Sequence, residues 1–216
     1  MINTETQTEP VDTRESLLDA AESLFAEHGI QAASLRMITQ RAGANLAAVH
    51  YHFGSKEGLV RAVFSRRIKP LSEERLRLLA ACDLQAEDAV EQVLNAYLAP
   101  LLRRTREARD QTCGFARLMG RAFAEPSEEV QAVMVEELGE TIRRFSAALH
   151  HILPQLPEQE LLWRFHFVAG AMAHTVGCGN LLEKYSRGLC QASNSDKALG
   201  YLISFLSAGL RAPAAS

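Results

Sequence analysis

The chain has 216 residues, a formal net charge of −3 and 47% hydrophobic residues, enough for a sizeable core in one or two domains. Its four cysteines, Cys82, Cys113, Cys178 and Cys190, have no paired short spacing, which excludes a zinc or redox motif and argues against a disulfide framework. The start from Met1 to Val11 is polar and acidic and is not expected to act as a signal peptide. The most apolar run, around Phe165 to Val176, is too interrupted by Arg164, His166 and His174 to cross a bilayer. A reducing cytoplasm is the expected setting, with no membrane association.

The apolar residues are mostly Leu and Ala, and β-branched residues are sparse, so an all-α fold is expected. Residues 1–12 have little to bury and read as a disordered tail. A first helix is expected from Thr13 to His28, where Leu17, Leu18, Ala21, Leu24 and Phe25 recur at helical spacing before Gly29. Ser34 caps a short helix, Leu35 to Arg41, and Ala42-Gly43-Ala44 makes a tight turn. Asn45 caps a third helix, Leu46 to His52. Phe53-Gly54 stops it, and Ser55 opens a long fourth helix from Lys56 to about Ala80. Two short helices joined by a sharp Gly-containing turn, behind a supporting first helix, have helix-turn-helix spacing. Leu35, Ile38, Ala42, Val49 and Phe53 form the expected core beneath them. Further helices are expected over 85–105, 110–124, 127–152, 158–182 and 195–211. Pro100, Pro126, Pro154 and Pro157 fall near boundaries or interrupt helices, and Glu183 to Asp196 reads as a loop.

Charge is unevenly distributed along this order. From Gln31 to Pro70 the chain holds Arg36, Arg41, Lys56, Arg61, Arg66, Arg67 and Lys69 against the single acid Glu57. The segment therefore carries +6 and the remainder −9. A basic patch confined to one segment of an acidic chain suits a nucleic-acid module joined to another function.

The stretch from Ser34 to Phe64 then carries a specific pattern: Ala42-Gly43, Tyr51-His52-Phe53, and Ser55-Lys56-Glu57-Gly58-Leu59. It resembles the signature of the TetR family of regulators. The resemblance implies a TetR-like all-α architecture. Residues 13–58 would form the DNA-binding domain, and residues 59–216 a helical ligand-binding and dimerisation domain. His50 departs from the pattern, since many members carry Tyr there. Weaker similarity, in Asn45 to Val49, Phe115 to Met119 and Leu162 to Phe167, points to the branch responding to long-chain fatty acids or their thioesters.

The resemblance implies a repressor that binds double-stranded DNA as a homodimer and releases it on binding a small hydrophobic effector, with no enzymatic activity. An α-helix fits the major groove, so the N-terminal part of Leu46–His52 is expected to face the bases. Ala47 and Ala48 permit close approach, and Asn45 caps the helix and can also reach DNA. Ser34, Arg36, His50, Tyr51, His52 and Lys56 complete the expected DNA-binding set, Tyr51, His52 and Lys56 as phosphate clamps. A helix this short reads few base pairs, so two copies one DNA turn apart are expected to bind a near-palindromic operator.

The effector pocket is expected among the middle helices, from Leu94, Tyr97, Leu98, Phe115, Met119, Phe123, Leu138, Trp163 and Phe167. Val168 to Ala173, rich in small residues, and Leu199, Leu202, Ile203, Phe205, Leu206 and Leu210 are expected to build a four-helix dimer interface. His166, His174 and Cys178 lie loosely along one helix face, but no acidic ligand accompanies them, and no metal site or cofactor is expected. The chain shows no nucleophile elbow, P-loop or dinucleotide motif.

Overall fold

A computed structural model of the chain describes residues 12–107, 118–120, 128–191 and 195–215. The expected helix over 110–124 therefore lies almost wholly outside the described residues, as does most of the expected N-terminal tail. The described residues are helical, with eight helices of at least eight residues. The chain divides into two compact units, one ending at Phe64 and the other beginning at Ser65. The division falls within the fourth helix, beyond the boundary expected at Gly58–Leu59.

In the first unit, α1 spans Thr13–His28, and its N-cap Asp12 accepts from the Arg14 amide at 2.9 Å. Leu17, Leu18, Ala21, Leu24 and Phe25 are fully buried along one side of it. α2 (Leu35–Ala42) begins where the Ser34 hydroxyl accepts from the Met37 amide at 3.2 Å. It ends at Gly43, whose φ of 63° and ψ of 27° are left-handed, a conformation a residue with a Cβ adopts only with strain. α3 (Leu46–Phe53) starts from Asn45, whose Oδ1 accepts from the Ala48 amide at 2.9 Å. α1 packs on both short helices, and these pack on each other. Ile38 and Val49 are fully buried at the centre of the expected small core, while Leu35, Ala42 and Phe53 are half-buried at its rim.

α4 runs over Lys56–Leu79, with Pro70 inside it. The Ser55 hydroxyl accepts from the Gly58 amide at 3.2 Å at its start. Gly58 is required there: a Cβ would stand 2.0 Å from the Phe53 carbonyl oxygen. Its absence lets the first turn of α4 close against the end of α3.

In the second unit, α5 spans Ala89–Glu107, α6 Glu128–Ile152, α7 Glu158–Tyr185 and α8 Ser195–Arg211. α5 packs against α6, α7 and α8, and α7 also packs against α6 and α8. Leu94, Leu98, Leu101, Leu149, Leu161, Val168, Leu206 and Leu210 fill the core. Three rings lie at its centre: Tyr97 is 5.2 Å from Phe145 and 4.8 Å from Phe165, centroid to centroid.

The start of α5, the end of α7 and the course of α5 past Pro100 differ from expectation. α5 begins at Ala89, because Asp83 turns the chain first, its Oδ1 accepting from the Gln85 amide at 3.0 Å. α7 continues through Leu181-Leu182-Glu183-Lys184, all good helix formers. It stops only at Ser186, whose amide donates to the Leu182 carbonyl at 2.9 Å. Pro100 does not break α5, whose neighbouring side chains Leu98, Ala99 and Leu101 are buried in the core.

Candidate functional site

The outward surfaces of α2 and α3 gather the expected DNA-binding residues within one unit. Ser34, Arg36, Asn45, Ala47, His50 and Tyr51 are exposed, and Ala48, His52 and Lys56 are half-buried. With a period of 3.6, Val49 takes the inner side of α3 and leaves Ala47, His50 and Tyr51 outside. Tyr51 is 85% exposed. Its ring meets His52 edge-on at 4.9 Å and leaves its hydroxyl open to solvent.

Two residues of the expected set make internal contacts. His50 Nδ1 lies 2.9 Å from the Gly54 carbonyl oxygen. A carbonyl only accepts, so Nδ1 carries the proton and Nε2 is the nitrogen left to face outward. Lys56 Nζ donates to the Gln31 carbonyl at 3.2 Å, tying the start of α4 to the α1–α2 loop. Both contacts hold the turns around α3 while keeping polar atoms near its exposed surface.

The basic segment is not uniformly available. The Arg41 guanidinium donates to both Glu27 carboxylate oxygens, at 2.8 and 3.0 Å, and to the Ser23 hydroxyl at 3.0 Å. The Arg41 bonds first, and next a bond donated by the Ser23 hydroxyl at 2.9 Å, lower the Glu27 carboxyl from its ordinary 4.5 to about 2. Arg41 therefore clamps α2 to α1. Nothing in its sequence spacing distinguished it from Arg36, which is exposed.

The nine expected effector residues separate. Leu94, Tyr97 and Leu98 are buried in the core. Met119 is half-buried and packs against that core, and Leu138 is half-buried on α6. Phe115 and Phe123 lie outside the described residues. Trp163 and Phe167 are not interior: they are 56% and 59% exposed on the outer side of α7. The reason is helical phase. Leu161, Phe165, Val168 and Met172 take the buried side of α7, which turns positions 163 and 167 outward. A separate groove of about 390 Å³ is lined by Leu76, Leu79, Ala80, Leu84, Arg144, Ala147, Ala148 and His151, none of them in the expected set.

Sequence reading passed over Arg75. In Ser72-Glu73-Glu74-Arg75-Leu76 it looks like one more solvated helix charge, yet it is 2% exposed. Its Nε donates to the Tyr97 carbonyl at 2.8 Å, and its guanidinium carbon lies 4.0 Å from the centre of the Tyr97 ring. Only the packed structure could show that burial. Among the described residues no cluster of three or more His, Cys, Asp or Glu side chains could hold a metal, and no helix is long and apolar enough to cross a membrane.

Comparison with known proteins bears on the two units in turn. Residues 17–63 match the family described as bacterial regulatory proteins, tetR family. Residues 95–209, more than half the chain, match the tetracyclin repressor-like C-terminal domain. The chain belongs to the TetR family. TetR relatives include the HTH-type transcriptional repressor AcnR of Corynebacterium efficiens, 39% identical over 54 residues. That match covers 25% of this chain and only 29% of AcnR. The fold extends over nearly the whole length. The fatty acid degradation regulator FadR of Bacillus halodurans superposes with a TM-score of 0.67 at 15% identity, covering 94% of this chain and 99% of FadR. The SmeT–triclosan complex superposes with a TM-score of 0.62 at 22% identity, covering 93% and 95%. Like AcnR, this chain is a member of a family of transcriptional repressors carrying an N-terminal helix-turn-helix.

Proposed function

We propose that this TetR-family protein is a ligand-responsive repressor that binds a near-palindromic operator as a homodimer through α3. The observation that carries this reading is the surface of α3. Val49 anchors one side in the core, and Asn45, Ala47, His50 and Tyr51 stand open on the other. Small side chains at Ala47 and Ala48 let the helix approach base edges, and Asn45 can reach them from the N-terminal end. Arg36, Ser34, His52, Lys56 and the Tyr51 hydroxyl serve phosphates on either side.

Dimerisation is supported by an apolar stripe left unburied on the last two helices. Trp163, Phe167, Leu181 and Tyr185 on α7, with Tyr201 and Phe205 on α8, are all exposed. Their spacing of three to four, or multiples of it, keeps each set on one side of its helix, and a stripe this apolar suits a second copy. The inner side of α8 is used differently: Leu206 and Leu210 are buried in the chain's own core, with Leu199, Leu202 and Ile203 packed against it.

The effector is a small hydrophobic molecule taken up by the second unit. FadR is named for fatty acid degradation, and SmeT was determined with triclosan. Both share the fold of this chain. Release follows if the effector favours a conformation in which the two recognition helices no longer match successive major grooves.

The test is a mobility-shift titration against the DNA upstream of the protein's own gene, with unrelated DNA as competitor. A specific shift that Tyr51→Ala weakens by roughly fivefold or more, at unchanged thermal stability, is expected from loss of a phosphate contact. Equal binding of specific and unrelated DNA by the wild-type protein would refute operator recognition.

A further inference from the structure

Arg75 is the only charged side chain that is buried among the described residues of the second unit. A guanidinium offers five N–H donors and stays protonated in a protein. Here Nε donates to the Tyr97 carbonyl at 2.8 Å, and an Nη faces the Met172 sulfur at 3.2 Å, a weak acceptor. The Tyr97 ring covers one face. Among the described residues no carboxylate pairs with it. The neighbouring Glu74 is already taken by Arg103 at 2.7 Å and Arg104 at 3.1 Å. Burial presses the Arg75 guanidinium toward its neutral form and away from the ordinary arginine range.

A buried cation without an anion is unfavourable, and buried charges are ordinarily paired. A methionine or leucine could fill this volume without removing a charge from water. A second polar group is also left over in this unit. The Thr141 hydroxyl is buried without a hydrogen-bond partner, one turn along α6 from Phe145. The Phe145 ring packs on Tyr97, and Tyr97 on Arg75. Tyr97 and Phe145 belong to an aliphatic and aromatic core with Leu94, Leu98, Phe165 and Val168. The groove bordered by Leu76 and Leu79 lacks this feature, since its Arg144 is exposed and already paired with Glu140 at 3.2 Å.

We propose that Arg75 anchors the carboxylate of the effector, an apolar monocarboxylic acid whose tail lies among the side chains of α5, α6 and α7. This rests on the second unit being an effector domain. The planar guanidinium matches a carboxylate through two parallel hydrogen bonds. A thioester carbonyl brings no charge to neutralise the guanidinium. The free acid, not its coenzyme A thioester, is therefore the form recognised. Arg75 sits on α4, the helix that begins with Lys56 at the proposed DNA surface, so its neutralisation acts on the element through which release would pass.

The full-length protein is tested with three probes of equal chain length: dodecanoate, methyl dodecanoate and dodecanoyl-coenzyme A. Thermal shift reads binding without DNA, and the mobility shift reads release. Dodecanoate is expected to raise the melting temperature and release DNA, with the ester and the thioester weaker by roughly tenfold or more, as loss of a charge-assisted pair implies. Arg75→Met is expected to lose the preference for acid over ester in the thermal shift, a readout that does not depend on DNA binding. Arg75→Lys, which keeps the charge, is expected to retain part of it. Equal response of the wild type to acid and ester, an unchanged acid preference in Arg75→Met, or no thermal response to any probe would overturn the proposal. The acid–ester comparison needs no variant and therefore holds even if Arg75→Met fails to fold. Failure of operator binding is read without lipid and counts against the repressor reading alone.

Discussion

Single side chains divide into those that hold the DNA-facing unit together and those left open on it. Arg41 belongs to the first group, since its guanidinium is spent on Glu27 and Ser23. Tyr51, exposed on the same unit, belongs to the second. Gly58 works by having no side chain. In an exposed helix interior, Gly→Ala ordinarily stabilises by about 1 kcal/mol. Here the added Cβ would meet the Phe53 carbonyl at 2.0 Å. Gly58→Ala is therefore expected to destabilise the protein and weaken DNA binding together, as measured by urea denaturation and mobility shift; stabilisation would show that this turn relaxes freely. Two carboxylates make stability depend on acid. Hydrogen bonding from Arg41 lowers Glu27 to about 2, and hydrogen bonding from Arg211 lowers Glu91 to about 2. A carboxyl depressed on folding contributes stability above its unfolded value near 4.5, and that contribution disappears as pH falls toward 2. The melting temperature should fall over that window, and Glu91→Gln should flatten part of the fall.

At the level of elements, caps decide where the short helices lie. Asn45 both caps α3 and stands at its exposed end, and two substitutions separate the roles. Asn45→Ala is expected to cost about 1 kcal/mol through loss of the cap. Asn45→Asp keeps a capping oxygen but sets a negative charge beside DNA. Its expected signature is near-native stability with reduced operator affinity, and equal affinity would leave Asn45 as a cap only. The starts of α2 and α3 were legible because each follows a residue whose side-chain oxygen satisfies an orphan amide, which is a local event. The end of α7 was less legible: polar residues after Leu182 resemble a loop, but a helix stops only when its last carbonyls find other donors, here at Ser186 and Gly188. The 3.6 period also had to choose an inner side on α7. Apolar residues occur on both, at Leu161, Phe165, Val168 and Met172 and again at Trp163 and Phe167. Periodicity alone could not say which set the chain would bury.

For the whole molecule, the exposed set on α7 and α8 predicts assembly. Trp163→Glu with Phe167→Glu is expected to convert a dimer to a monomer in sedimentation or light scattering, with the helical circular dichroism retained and operator affinity reduced. A double variant that remains dimeric would place the interface elsewhere. The all-α class, the helix-turn-helix and the family followed from the sequence itself, because helix propensity, side-chain caps and the Ala42-Gly43 and Tyr51-His52-Phe53 pattern are encoded within a few residues of where they act. The partition of apolar side chains between core and surface, the clamp at Arg41 and the burial of Arg75 were decided by tertiary structure. Each depends on which helix faces arrive at one place from distant parts of the chain, and the charge of a residue such as Arg75 carries no information about its solvent until that packing is complete.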